Sequence, residues 1–89
     1  MIDKHSVLGV KRGKFAEACG WYGMFALITA YFLVSFGVID GEGMAFQLMN
    51  LTGGVGLLIV AASKGVVQSV ILNFFWAVIG AAAIIRLFL

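Results

Sequence analysis

Charged side chains are absent from Ala18 to Ile39, from Gly43 to Ser63 and from Gly65 to Ile85, and they fall at the ends of these runs, most of them before the first. Each run is about 20 residues, which at about 1.5 Å per helical residue matches a hydrocarbon layer about 30 Å thick. Backbone groups left unpaired in lipid cost several kcal/mol each, so segments of this length cross as helices and not as isolated strands. The pattern predicts an all-α membrane protein: three transmembrane helices in an up-down-up bundle, over about residues 18–39, 43–62 and 66–88, after a basic tail at 1–17. The breaks Asp40-Gly41-Glu42-Gly43 and Ser63-Lys64-Gly65 hold helix-ending glycines and are too short for anything but antiparallel neighbours.

Composition supports the same class. Of 89 residues, 63% are hydrophobic and 11% charged, against about 45–50% and about 25% in a soluble domain. A chain this small cannot hide so much apolar surface from water. The first apolar run is longer than the roughly 7–15 residues of a signal-peptide core and lacks a small-x-small cleavage site, so it reads as a permanent helix.

Orientation follows from lysine and arginine. Lys4, Lys11, Arg12 and Lys14 precede the first span, and Lys64 in the second loop falls on the same side; Arg86 alone lies opposite. That bias places the N-terminus inside and the C-terminus outside, with Trp21 and Tyr22 at the depth of an aromatic belt. The basic tail is expected near anionic headgroups, and Met1 to Val10 is expected to be disordered.

Candidate chemistry is sparse. Cys19 is alone, His5 lies in the tail, and no His, Cys, Asp or Glu set has metal-ligand or catalytic spacing. Gly53-Gly54-Val55-Gly56 lies mid-span with no lysine after it, so it is no phosphate loop. An enzyme, a cofactor, a metal and a nucleic-acid partner are therefore not expected. The lipid bilayer is the one certain partner.

Polar residues inside the spans carry the remaining signal. Tyr31 and Ser35 are spaced i,i+4, Gln47 and Asn50 i,i+3, and Asn73 and Trp76 i,i+3, so each pair occupies one helix face. Tyr31 falls at the depth of Asn50, and Ser35 at that of Gln47. The three faces are expected to point at a common centre. Two readings compete: interhelical hydrogen bonds at about 0.6–2 kcal/mol each, or a midplane cavity for a small polar solute lined by Gln47, Asn50, Asn73, Trp76 and Tyr31. Trp76 favours a site, because an indole N–H at mid-depth needs a partner. Gly53, Gly54 and Gly56, with Ala77, Gly80 and Ala81 on the third span, form small-residue stripes suited to close helix packing. Three helices offer too little interface to bury the polar face and both stripes, so self-association or docking onto a larger membrane complex is expected.

The strings Gln47-Leu48-Met49-Asn50-Leu51-Thr52-Gly53 and Leu72-Asn73-Phe74-Phe75-Trp76-Ala77, with Tyr31, Ser35 and Gly37 before them, resemble a family of short bacterial three-helix membrane proteins of unknown function, sometimes labelled permeases. The resemblance covers about Trp21 to Leu87 and implies a bacterial inner-membrane location. More distantly, the layout is similar to the SemiSWEET and PQ-loop half-transporters, three-helix units that dimerise around a sugar site, and Asn73 would match their third-helix asparagine. This chain differs from them in having no proline, in carrying its tryptophan on the third span, and in its predicted orientation. Two functions follow as expectations: an oligomeric half-transporter for a small polar solute, or an accessory subunit that packs onto a larger complex.

Overall fold

The computed structural model describes residues 9–89; Met1 to Leu8, with Lys4, His5 and most of the segment expected to be disordered, lie outside them. Helix α1 spans Lys14–Ser35, α2 spans Met44–Lys64 and α3 spans Val67–Leu87. Each is long and apolar enough to cross a membrane, and together they make an all-helical membrane domain suited to a lipid environment.

α1 starts and stops about four residues before the apolar run does. It ends because Gly37 takes a left-handed φ of 74°, a conformation that side chains with a Cβ resist. The Gly37 N–H then donates to Val34 O at 3.1 Å and the Val38 N–H to Leu33 O at 2.8 Å, which satisfies carbonyls that a free helix end would leave bare. Phe36, Val38 and Ile39 extend the apolar run beyond the helix proper. At the other end Lys14 and Glu17 belong to the first turn of α1 and not to a tail, and Glu17 sits where a helix N-terminus favours an acid. α2 closes as α1 does: Gly65 has φ 72°, its N–H donates to Ala62 O, and the Val66 N–H donates to Ala61 O.

α2 packs along both of its neighbours, whereas α1 and α3 make no backbone-level contact with each other. The helices therefore form a layer with α2 in the middle. The three polar faces do not meet at a common centre, as the sequence suggested, because a short-looped chain can lay its helices side by side as readily as in a triangle.

The seams are built from small residues. Ala16, Gly20, Gly23, Ala26 and Ala30 are the buried positions of α1, and Ala61, Ala62 and Val70 form the small apolar cluster between α2 and α3. Large apolar side chains such as Phe25, Ile28, Phe74, Phe75 and Ile79 are exposed, as lipid-facing residues are. Gly53 and Gly56 of α2 face α1: a Cβ on Gly23 would lie 2.5 Å from Gly53 O, and one on Gly56 would collide with Cys19 O. Gly54 faces α3, with Ala77 N 3.5 Å and Asn73 O 3.6 Å from where its Cβ would be, and Gly80 returns the contact against Leu51. Both glycine stripes are thus taken up inside the single chain. Ala77 and Ala81 are half-buried along the same helix.

Candidate functional site

At 100° per residue, Gly53 points α2 toward α1 and Gly54 points it toward α3. Asn50 falls between these directions, on a strip of α2 that continues through Leu57 and Ala61 to Lys64. α1 and α3 do not close over this strip, and three spaces open along this face of the layer. The walls obey the same periodicity. On α1 they are Glu17, Trp21, Met24, Ile28, Tyr31 and Ser35, and on the other side Val66, just before α3, with Ser69, Asn73 and Trp76 of α3.

The half of this face near the 36–43 loop holds a space of about 590 Å³ between Leu27, Ile28, Tyr31, Phe32 and Ser35 of α1, Phe36 just after it, and Trp76 of α3. Its walls are almost wholly apolar. The other half has two branches of about 250 and 330 Å³ that share Leu57, Val60 and Lys64, one against α1 and one against Ser69 and Asn73. At its far end Lys64 Nζ meets Glu17 Oε2 at 2.9 Å, both side chains being nearly half exposed. A pair in that setting contributes at most about 1 kcal/mol.

The polar residues singled out by sequence separate into two groups. Gln47 donates from Nε2 to Gly41 O at 3.1 Å, tying α2 to its own preceding loop and leaving Ser35 without the partner that equal depth suggested. Asn73 is 7% exposed and donates from Nδ2 to Ser69 O, one turn back on its own helix, at 2.8 Å. In contrast, the side chains of Tyr31, Ser35, Trp76 and Asn50 make no hydrogen bond among the described residues. Tyr31 and Trp76 are open to the surroundings, at 74% and 43% exposure, but Asn50 is only 7% exposed. No side-chain polar atom among the described residues is both fully enclosed and unpartnered. The Asn50 amide therefore keeps some exposure, and its register turns it toward the face where these spaces open, although it lines none of the three. An amide held so deep in hydrocarbon without a partner is costly, by about 1–3 kcal/mol.

Sequence reasoning missed the bond that does join two helices. Tyr22, expected in an aromatic belt, places its hydroxyl 2.6 Å from Thr52 Oγ1 on the opposite face of the layer. Thr52 Oγ1 in turn donates to Leu48 O at 2.8 Å, so the tyrosine is the donor in the first bond. The i,i+30 pairing carries no local signal. Lys64 was likewise read only as a flanking charge, and Glu17 was not singled out at all. The seam positions Gly20 and Gly23 did have a signal, the small-residue spacing from Ala16 through Gly20, Gly23 and Ala26 to Ala30. Cys19 lies on the same face as Tyr22, half-buried beside Phe15, Ala18, Val55 and Ile59, an apolar setting for a small apolar-like side chain.

The chain belongs to an uncharacterised family, whose family model matches residues 16–89 and so takes in all of α2 and α3 and nearly all of α1. Comparison with curated proteins and with solved structures gives no match.

Proposed function

We propose that this family member is a non-catalytic solute-binding unit of the membrane, a half-transporter whose groove is completed by a second copy. The observation that carries the reading is the gathering of Tyr31, Ser35 and Trp76 around one open space of about 590 Å³, with no hydrogen-bond partner among the described residues for these side chains or for Asn50, which helical register turns toward the same face. Side chains kept as interhelical glue bond across seams, as Tyr22 and Thr52 do; these do not. The spaces on this face lie toward both ends of the helices, one reaching the Glu17–Lys64 pair and another Ser35, the two ends that a path between compartments would have to join. With the N-terminus inside, the ion pair marks the cytoplasmic mouth. Rocking of one three-helix unit against another would expose the groove to each side in turn.

The accessory-subunit reading has one observation in its favour: the groove walls are mostly apolar and would suit a partner's helix. Its original basis is weaker, since the glycine stripes expected to dock a partner are buried within the chain.

The test is uptake into proteoliposomes of a panel of small solutes by the parent, Asn50→Leu, Asn73→Leu and Trp76→Phe proteins at equal folded fraction, with the oligomeric state measured in the same lipid. Flux in the parent that falls at least tenfold in Asn50→Leu, from a dimer or larger assembly, is expected. A strict monomer with no flux, or stable capture of a different membrane protein, leaves the accessory reading. Orientation is tested with cysteine replacements after Cys19 is removed: Glu42→Cys should react with an impermeant thiol reagent applied outside, and Lys64→Cys should not.

A further inference from the structure

We infer that the helix end carrying the basic tail holds a site for the phosphate of an anionic membrane lipid, seated in the space of about 330 Å³ where α2 turns into α3. The site stands whether or not the protein carries a solute. The turn sets its chemistry. α2 closes by using carbonyls that a helix end leaves bare: Ala62 O accepts from the Gly65 N–H and Ala61 O from the Val66 N–H. α3 opens without a side-chain cap, and Val70 is the first of its residues to bond back, to Val66 O at 3.0 Å. The N–H groups of Val67, Gln68 and Ser69 are therefore left without a backbone acceptor, at a helix end where the partial charge is positive. Donors in such excess suit an anion.

Side chains that border the space add to the excess. Lys64 Nζ meets Glu17 Oε2 at 2.9 Å, yet it is nearly half exposed and has further hydrogens for a second oxygen. Ser69 makes no side-chain hydrogen bond among the described residues, so its hydroxyl is free to donate. Asn73 is 7% exposed and gives one Nδ2 hydrogen to Ser69 O, which leaves the other, with Oδ1 as the one amide acceptor beside these donors. At about 1.5 Å per residue, Ser69 lies roughly 3 Å and Asn73 roughly 9 Å into α3 from Val67. A lipid presents its phosphate and then its ester carbonyls in that order. Leu57, Val60 and Ala61 complete the wall with apolar surface, which suits the start of an acyl chain and does nothing for a free phosphate.

The charge of this end agrees. Among the described residues Lys11, Arg12, Lys14 and Lys64 lie here with Glu17 as the one acid. Val10 packs against the cluster of Ala61, Ala62 and Val70, which draws the basic segment toward the α2–α3 turn. Basic residues so placed attract anionic lipid by about 1 kcal/mol each.

The test is native mass spectrometry of the protein released from detergent, with dioleoylphosphatidylglycerol, dioleoylphosphatidylcholine or inorganic phosphate added at equal ionic strength. Phosphatidylglycerol should bind as a single copy, at least tenfold tighter than phosphatidylcholine, and inorganic phosphate should not be retained. Lys64→Met should weaken phosphatidylglycerol about tenfold and Ser69→Ala about threefold. Glu17→Gln releases Lys64 from its ion pair and should tighten binding about threefold, a change of sign that a damaged fold would not give. Equal binding of the two lipids, indifference to both Lys64 and Ser69, or weaker binding in Glu17→Gln overturns the inference. Inorganic phosphate held as tightly as phosphatidylglycerol would make this a site for a soluble anion and overturns the lipid assignment too.

Discussion

The two faces of the helix layer treat polar side chains in opposite ways. On one, Tyr22 donates to Thr52 and Thr52 to Leu48 O, a relay that uses each hydroxyl hydrogen and joins α1 to α2. On the other, Asn50, Tyr31, Ser35 and Trp76 have no partner among the described residues, although Asn50 is as deeply buried as Asn73, which donates to its own helix. Lipid gives no hydrogen bonds, so the first face is finished and the second is not. An intramembrane polar residue thus carries different meanings according to whether its partner lies across a seam. Residue type and depth alone do not separate glue from site.

Breaking the seam beneath both faces should cost most. Gly23→Val places two methyl groups where Gly53 O and Leu57 N already stand, backbone atoms that cannot step aside, so the layer must open. A loss of about 3 kcal/mol or more is expected as a large fall in melting temperature in detergent. Gly37→Ala, which has open space around its Cβ but a left-handed φ, should lose only about 1 kcal/mol.

Next comes the finished face. Tyr22→Phe should destabilise by about 0.6–2 kcal/mol, and the Thr52→Val, Tyr22→Phe double variant by less than the sum of the two singles, since both remove one bond. An additive cycle would mean that the 2.6 Å contact contributes nothing. Smaller still is the ion pair at the groove mouth: Glu17→Gln or Lys64→Met should change stability by no more than about 1 kcal/mol, and the effect should shrink in high salt.

Much of the frame was legible in the sequence. Hydropathy reports solvent, and a chain with three uncharged runs of bilayer length has one class of fold open to it. The ends of α1 were misplaced for the same reason: Phe36, Val38 and Ile39 belong in lipid as an apolar run does, while the backbone at Gly37 has already left the helix. Helical periodicity put Tyr31 with Ser35 and Asn73 with Trp76 on shared faces; Tyr31, Ser35 and Trp76 border one space and Asn73 another. It did not say which helix each face meets. That is why the glycines of α2, read as one stripe, divide between α1 and α3, and why Gln47 turned to Gly41 O and not to Ser35. Pairings such as Tyr22 with Thr52 or Glu17 with Lys64 depend on helix rotation, which hydropathy leaves free.

The most direct test of the unfinished face is the thermal stability of Asn50→Leu measured beside Tyr22→Phe in the same lipid, without added ligand. Removing an amide that has no partner strands nothing, so Asn50→Leu should melt within about 0.5 kcal/mol of the parent or above it, while Tyr22→Phe melts below both. A loss of 2 kcal/mol or more in Asn50→Leu, with Tyr22→Phe unchanged, would mean that Asn50 holds helices together and would contradict the account.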